Sequence, residues 1–184
     1  MTAPRAGWQQ QLLQFWFHKL DNKQRFARDE AVDRVIRRRF APRLRWFGQQ
    51  PSSTFLRDAQ TARAAIILFD QVPRNSFRDD PRAFAFDRKA RAITHGALSR
   101  GWLSALAREE RQFLLMPLMH SEAIADQRES VRQFTRLGDA STRRFALAHW
   151  RMIARFGRFP HRNALLARAS SPAETRAVAA GNHW

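Results

Sequence analysis

The sequence predicts an all-α protein, on three observations. Apolar residues recur at helical spacing through most of the 184 residues. No stretch alternates apolar with polar residues, and no β-branched segments flank an Asn-Gly or Asp-Gly turn. The breaks between periodic segments carry Ser, Thr and Asp caps, early prolines and terminal glycines. About seven or eight helices, stacked as antiparallel hairpins in a single domain over residues 1–184, are the expected architecture.

Trp8, Leu12, Phe15, Trp16 and Leu20 share one helical face, so Trp8 to Leu20 reads as an amphipathic helix. Asp21 with Gln24 is a capping-box signature, opening a second helix to about Phe40 with Phe26, Val32, Val35, Ile36 and Phe40 inward. Arg37 to Arg39 sit near its C-terminus, where cations suit the macrodipole. Pro42 is expected to stop it, leaving Ala41 to Pro51 as a loop. Ser52 or Ser53 is the expected cap of a third helix running to Val72, ended by Pro73. Asp80-Pro81 signals the next start. That helix reaches about Arg100 with Phe84, Ala90, Ile93, Ala97 and Leu98 inward, and Gly101 closes it.

Ala107 to Leu115 continues helically until Pro117 interrupts it. Ser121 is the expected cap of a helix with Glu122 in its first turn, Val131, Phe134 and Leu137 along its face, and Gly138 at its end. Ser141 or Thr142 opens another, with Phe145, Ala148, Met152, Ile153 and Phe156 inward and Gly157 and Pro160 stopping it. Ser171-Pro172-Ala173-Glu174 forms a capping box before a short last helix.

Composition narrows the class. Apolar residues at 44% and aromatics at 11% argue for a packed core and against disorder. The longest apolar run, Ala64 to Phe69, is far short of the roughly 20 residues of a membrane span. The opening MTAPRAGWQQQ lacks the hydrophobic segment of a secretory signal. With no cysteine, disulfides and thiolate metal sites are excluded. A soluble cytoplasmic protein with no membrane partner is expected. The net charge of +17 admits nucleic acid or acidic surfaces as partners. Lysine occurs only at positions 19, 23 and 89, so the basic residues are nearly all arginine, scattered rather than blocked. A GC-rich genome produces the same bias.

The chemistry concentrates at three breaks that share a proline and a polar cluster. They are Asp70-Gln71-Val72-Pro73-Arg74-Asn75, Met116-Pro117-Leu118-Met119-His120-Ser121-Glu122, and Gly157-Arg158-Phe159-Pro160-His161-Arg162-Asn163 with Arg168 beyond. Each sets ionisable groups beside large apolar residues, where pKa values shift and sites form. Should they converge, Arg74, Arg158, Arg162 and Arg168 would clamp an anion, with Gln71, Asn75 and Asn163 as amide partners. Asp70 or Glu122 would be the base, and His120 or His161 the proton shuttle, of any reaction.

Each of these residues also has a structural reading. Asp70 can pair with Arg74 or Arg162 and tie helices, and Glu122 can serve as a helix-start acid. His120 can bond a loop carbonyl, and Asn75 and Asn163 follow prolines in turns where asparagine bonds local backbone. No metal or cofactor is expected: His120 and Glu122 are two apart, no HExxH pair exists, and neither a GxSxG serine nor a Gly-rich phosphate loop occurs.

The strings ILFDQVPRNSFR, FAFDRKA, LMPLMHSE and RFGRFPHRNALLAR resemble the signature blocks of a mostly bacterial family filed as domain of unknown function 924. The FWF at Phe15 to Phe17 and the DRVIRRRF at Asp33 to Phe40 are similar to its opening helices. The resemblance implies a tetratricopeptide-like stack of antiparallel helix pairs and no established activity. It departs at Ala167, where the family usually has glycine, and at Ala169, where an acidic residue is common. The functional expectation is a small anionic ligand bound where the three clusters meet. The alternatives are a helical scaffold for a protein or peptide partner, with the clusters purely structural, and nucleic-acid binding through the basic surface with Trp46 and Trp102.

Overall fold

The computed structural model describes residues 7–181, and these form helices joined by short turns, with no strand among them. The described chain gathers into two compact units that divide between Pro117 and Leu118. None of the described helices is long and apolar enough to cross a membrane.

The first unit opens with α1, Trp8–Gln14, which runs directly into a wider π turn, Phe15–Lys19. The expected stripe of Trp8, Leu12, Phe15, Trp16 and Leu20 is buried throughout. Asp21 and Gln24 make both bonds of the capping box, but the helix they open, α2, spans only Asn22–Phe26. The backbone is extended at Ala27, and Asp29 caps a new helix, α3, Glu30–Arg39. This interruption resets the helical phase. Val32, Ile36 and Phe40 stay buried, whereas Phe26 is 49% exposed and Val35 also faces out, against expectation. Pro42 does not leave a loop behind it. It sits in the first turn of α4, Ala41–Phe47, where a missing N–H has no intrahelical partner to lose.

The central apolar stretch also differs from expectation. Ser52–Phe55 is only a 3-10 turn, and Asp58 caps α5, Ala59–Ile66, by accepting from Thr61 N. Pro73 does not end the helix. A π turn, Ile67–Gln71, in which Val72 N–H reaches back to Ile67 O, leads straight into α6, Val72–Ser76. Widening the ladder just before a residue that has no N–H to give lets the chain pass the proline while staying helical. Asp80 caps another 3-10 turn, Pro81–Phe84, and the long helix, α7, begins at Asp87 and ends at Ser99. Ala90, Ile93 and Ala97 are buried on it, with Phe84 and Leu98 half-buried.

Helix α5 packs on α1 and α7, and α3 on α6. Between them Phe47, Phe55, Phe69 and Phe86 follow one another at centroid separations of 5.7, 5.2 and 5.5 Å. Such pairs contribute about 1 kcal/mol each beyond the area they bury. The unit ends within helix α8, Arg108–Met119, which contains Pro117 rather than stopping at it. The Thr94 hydroxyl donates to Leu114 O at 3.0 Å, tying α7 to the turn before the proline.

The second unit is built on a helix pair. Helix α9, Ile124–Leu137, and α10, Ala140–Phe156, pack along each other and are joined only by Gly138 and Asp139. Gly138 ends α9 in the left-handed region, and Gly157 ends α10 in the same way, as expected. Two boundaries move. Ser121 lies ahead of α9 instead of capping it, and Asp139, accepting from Thr142 N, replaces Ser141 or Thr142 as the cap of α10. Phe145 is 49% exposed, while Met152 and Ile153 are buried with Phe159 and Ala177, and Phe156 packs against them. The turn Pro160–Arg162 and α11, Pro172–Ala179, close the unit, and Ser171 and Glu174 complete the expected capping box.

Candidate functional site

In the first unit the Asp70 cluster is a closed network. Asp70 falls in the π turn and is fully buried. Arg74 Nη1 donates to Asp70 O at 2.8 Å and lies 3.3 Å from its carboxylate. The same guanidinium grips Asp87 with both forks, at 2.9 and 3.0 Å. Burial works against the charge of Arg74, but Asp70 and then Asp87 more than offset it, and its pKa is raised. Gln71 Nε2 donates to Asp70 Oδ2 at 2.5 Å and reaches Met116 Sδ at 3.8 Å. Asn75 Nδ2 donates to Gln71 O, and its Oδ1 accepts from Arg78, which in turn holds the buried Asp33.

In the second unit the two remaining clusters meet. Glu122 precedes α9, so the helix-start role expected of it does not apply. Its carboxylate instead accepts two bonds from Arg168, at 2.8 and 3.0 Å, and one from Phe159 N at 2.8 Å. Burial raises its pKa, yet the Arg168 and Phe159 bonds outweigh that and the carboxyl titrates below its ordinary range. Arg158 holds Glu174 bidentately at 2.7 and 3.0 Å and donates to Ala169 O at 2.8 Å. The Arg158 bond, ahead of the others, keeps Glu174 well below the usual carboxylate range. The neighbouring Ser121 hydroxyl accepts from Ala123 N and donates to Asp126. Asn163 is buried and donates to Ser170 Oγ.

The histidines gather around Phe159. His149 and His161 lie 5.5 and 5.6 Å from its ring, His120 lies 6.3 Å from His149, and the Arg162 guanidinium sits 4.5 Å above the same ring. His149 is buried, and burial first, then the charge of His120, pushes its pKa down to about 3. Among the described residues no group of three His, Cys, Asp or Glu is placed to hold a metal. A shallow depression of about 310 Å³ on the first unit is lined by Gln10, Leu13, Gln14, His18, Gln60 and Arg63, none of them a candidate residue.

Sequence reasoning missed Asp87 and His149. Asp87 stands in the FAFDRKA block, and only the fold reveals it as the partner of Arg74. His149 was legible in principle, since it lies four residues after Phe145 and before Met152 and Ile153 on the inward face. The family's glycine position also gains a reason: Ala167 has φ +52°, a left-handed conformation that glycine adopts without steric cost.

Residues 12–182 match the family model described as "Bacterial protein of unknown function (DUF924)". The chain belongs to this family. It is similar to a solved structure of a protein of unknown function from Agrobacterium tumefaciens, with 30% identity and a TM-score of 0.86, over 92% of this chain and 96% of that one. No curated protein matches it.

Proposed function

We propose that this family member is a helical scaffold for an acidic protein or peptide partner, and that its motif residues hold the scaffold's shape. One observation carries the reading: three motif arginines are already committed bidentately inside the chain, Arg74 to Asp87, Arg158 to Glu174 and Arg168 to Glu122. Guanidiniums already paired with carboxylates of the chain have little left to offer a free anion. The net charge of +17 favours an acidic partner, and Phe26, Val35, Ile124 and Phe145 give the helices exposed apolar footholds. A tetratricopeptide-like stacking of the hairpins belongs to the same reading.

A second reading, a small anionic ligand, is favoured by the grouping of His120, His149, His161 and Arg162 around Phe159. Thermal unfolding separates the two. Wild type and Arg162→Ala are heated with small anions, poly-L-glutamate and a duplex oligonucleotide. The scaffold reading expects small anions to leave the wild type unmoved, poly-L-glutamate to bind both proteins, and Arg162→Ala simply to melt lower. The ligand reading expects one small anion at 100 times its Kd to stabilise the wild type by about 2.7 kcal/mol and to lose that effect in Arg162→Ala. A response to the duplex alone, steeply reduced by salt, would replace both with nucleic-acid binding.

A further inference from the structure

From Arg34 to Arg57 the chain carries seven arginines and no acidic residue. Two of these arginines are brought together by the fold. Arg39 ends α3, Arg43 lies in the first turn of α4, and Phe40 stands between them. Their guanidiniums lie over the same ring, 5.2 and 5.5 Å from the Phe40 centroid, and Arg39 also covers Phe15 at 5.4 Å. Arg43 donates to Arg39 O and to Gln11 Oε1 on α1.

No carboxylate among the described residues pairs with Arg39 or Arg43, so two cations without a counter-ion lie over one ring. The Arg39 guanidinium donates to no acceptor among the described residues. The dipole at the end of α3 accounts for one cation at this place. It does not account for a second delivered beside it from the next helix. Burial, and next the charge of Arg39, lower the pKa of Arg43, as expected of a like-charged pair with nothing between.

We propose that Arg39 and Arg43 form a binding site for a phosphate dianion. A dianion neutralises both cations at once: the Arg39 fork, which donates to no described acceptor, is open to its oxygens, and Arg43, already donating to Arg39 O and Gln11 Oε1, adds the second charge and its remaining N–H groups. Phe40 and Phe15 support the Arg39 guanidinium, and Phe40 and Gln11 steady Arg43. The site is independent of the scaffold reading and stands or falls without it.

The test is a titration of the labelled protein, followed through the arginine Nε–Hε resonances. Inorganic phosphate and O-phosphoserine are the probes, with sodium chloride at matched ionic strength as reference. The expected result is saturable movement of the Arg39 and Arg43 signals with phosphate. Arg39→Gln should weaken binding roughly tenfold or more, because it removes one charge-assisted fork. Arg38→Gln, an exposed neighbour in the same run, should leave affinity within about twofold. Tighter binding of O-phosphoserine would point to a phosphomonoester as the natural group, and equal or weaker binding to free phosphate. A chloride response equal to the phosphate response, or unchanged affinity in Arg39→Gln with its helical spectrum intact, overturns the proposal.

Discussion

His149 shows how one buried side chain writes itself into the pH dependence of the whole fold. Its Nδ1 lies 2.8 Å from Phe145 O, so the neutral ring keeps its proton on Nδ1 to donate to that carbonyl. Folded, it titrates at about 3; unfolded, it returns to its ordinary 6.5. The unfolded chain therefore takes up the proton more readily, and stability rises with pH between those values. It is complete above pH 6.5 and is lost as pH falls toward 3, with a slope approaching about 1.4 kcal/mol per pH unit. The depressed carboxyls of Glu122 and Glu174 add their own loss only below their unfolded value, near pH 4.5. The window from pH 6.5 to 4.5 thus lies above the range of those carboxyls. Urea unfolding of wild type should weaken across it more steeply than that of His149→Gln. Equal slopes in the two proteins would remove His149 as the cause.

Two helix ends are closed by a long side chain from another segment rather than by a local cap. Lys89 Nζ meets the carbonyls of Phe47, Gly48 and Gln50 at the end of α4, over the rings of Phe55 and Phe69. Gln127 Nε2 meets those of Leu118, Met119 and Ser121 at the end of α8. An ammonium offers three diverging donors to three carbonyls, and a planar guanidinium does not. Lys89→Met should therefore lower stability by about 1–3 kcal/mol in a denaturant midpoint. Lys89→Arg should recover less than half of it, and full recovery would refute the three-carbonyl account. Such closures explain what was legible in the sequence. The capping boxes at Asp21 and Ser171 and the terminal glycines at 138 and 157 rest on neighbouring residues, and all four were read correctly. Pro42, Pro73 and Pro117 were read as breaks because the compensating π turn and first-turn placement are decided by packing. The pairs Arg74–Asp87 and Arg168–Glu122 join residues 13 and 46 apart, a separation that no periodicity carries.

The whole chain divides into two compact units, yet the division falls inside helix α8, between Pro117 and Leu118, and not in a flexible linker. The second unit gathers a small apolar core of Met152, Ile153, Phe159 and Ala177, and much of its interior is polar and tied by ions. A chain segment of this length buries only about 60% of its surface and is marginal alone. We therefore expect the protein to unfold as one domain, with a calorimetric enthalpy equal to the van't Hoff value. Glu122→Gln would leave Arg168 facing a neutral amide, costing about 1–2 kcal/mol at this partly exposed pair. Coupling predicts that the single transition moves down by about 2–8 °C, with no shoulder left behind. Two transitions, only one of which responds to Glu122→Gln, would mean that the units fold independently.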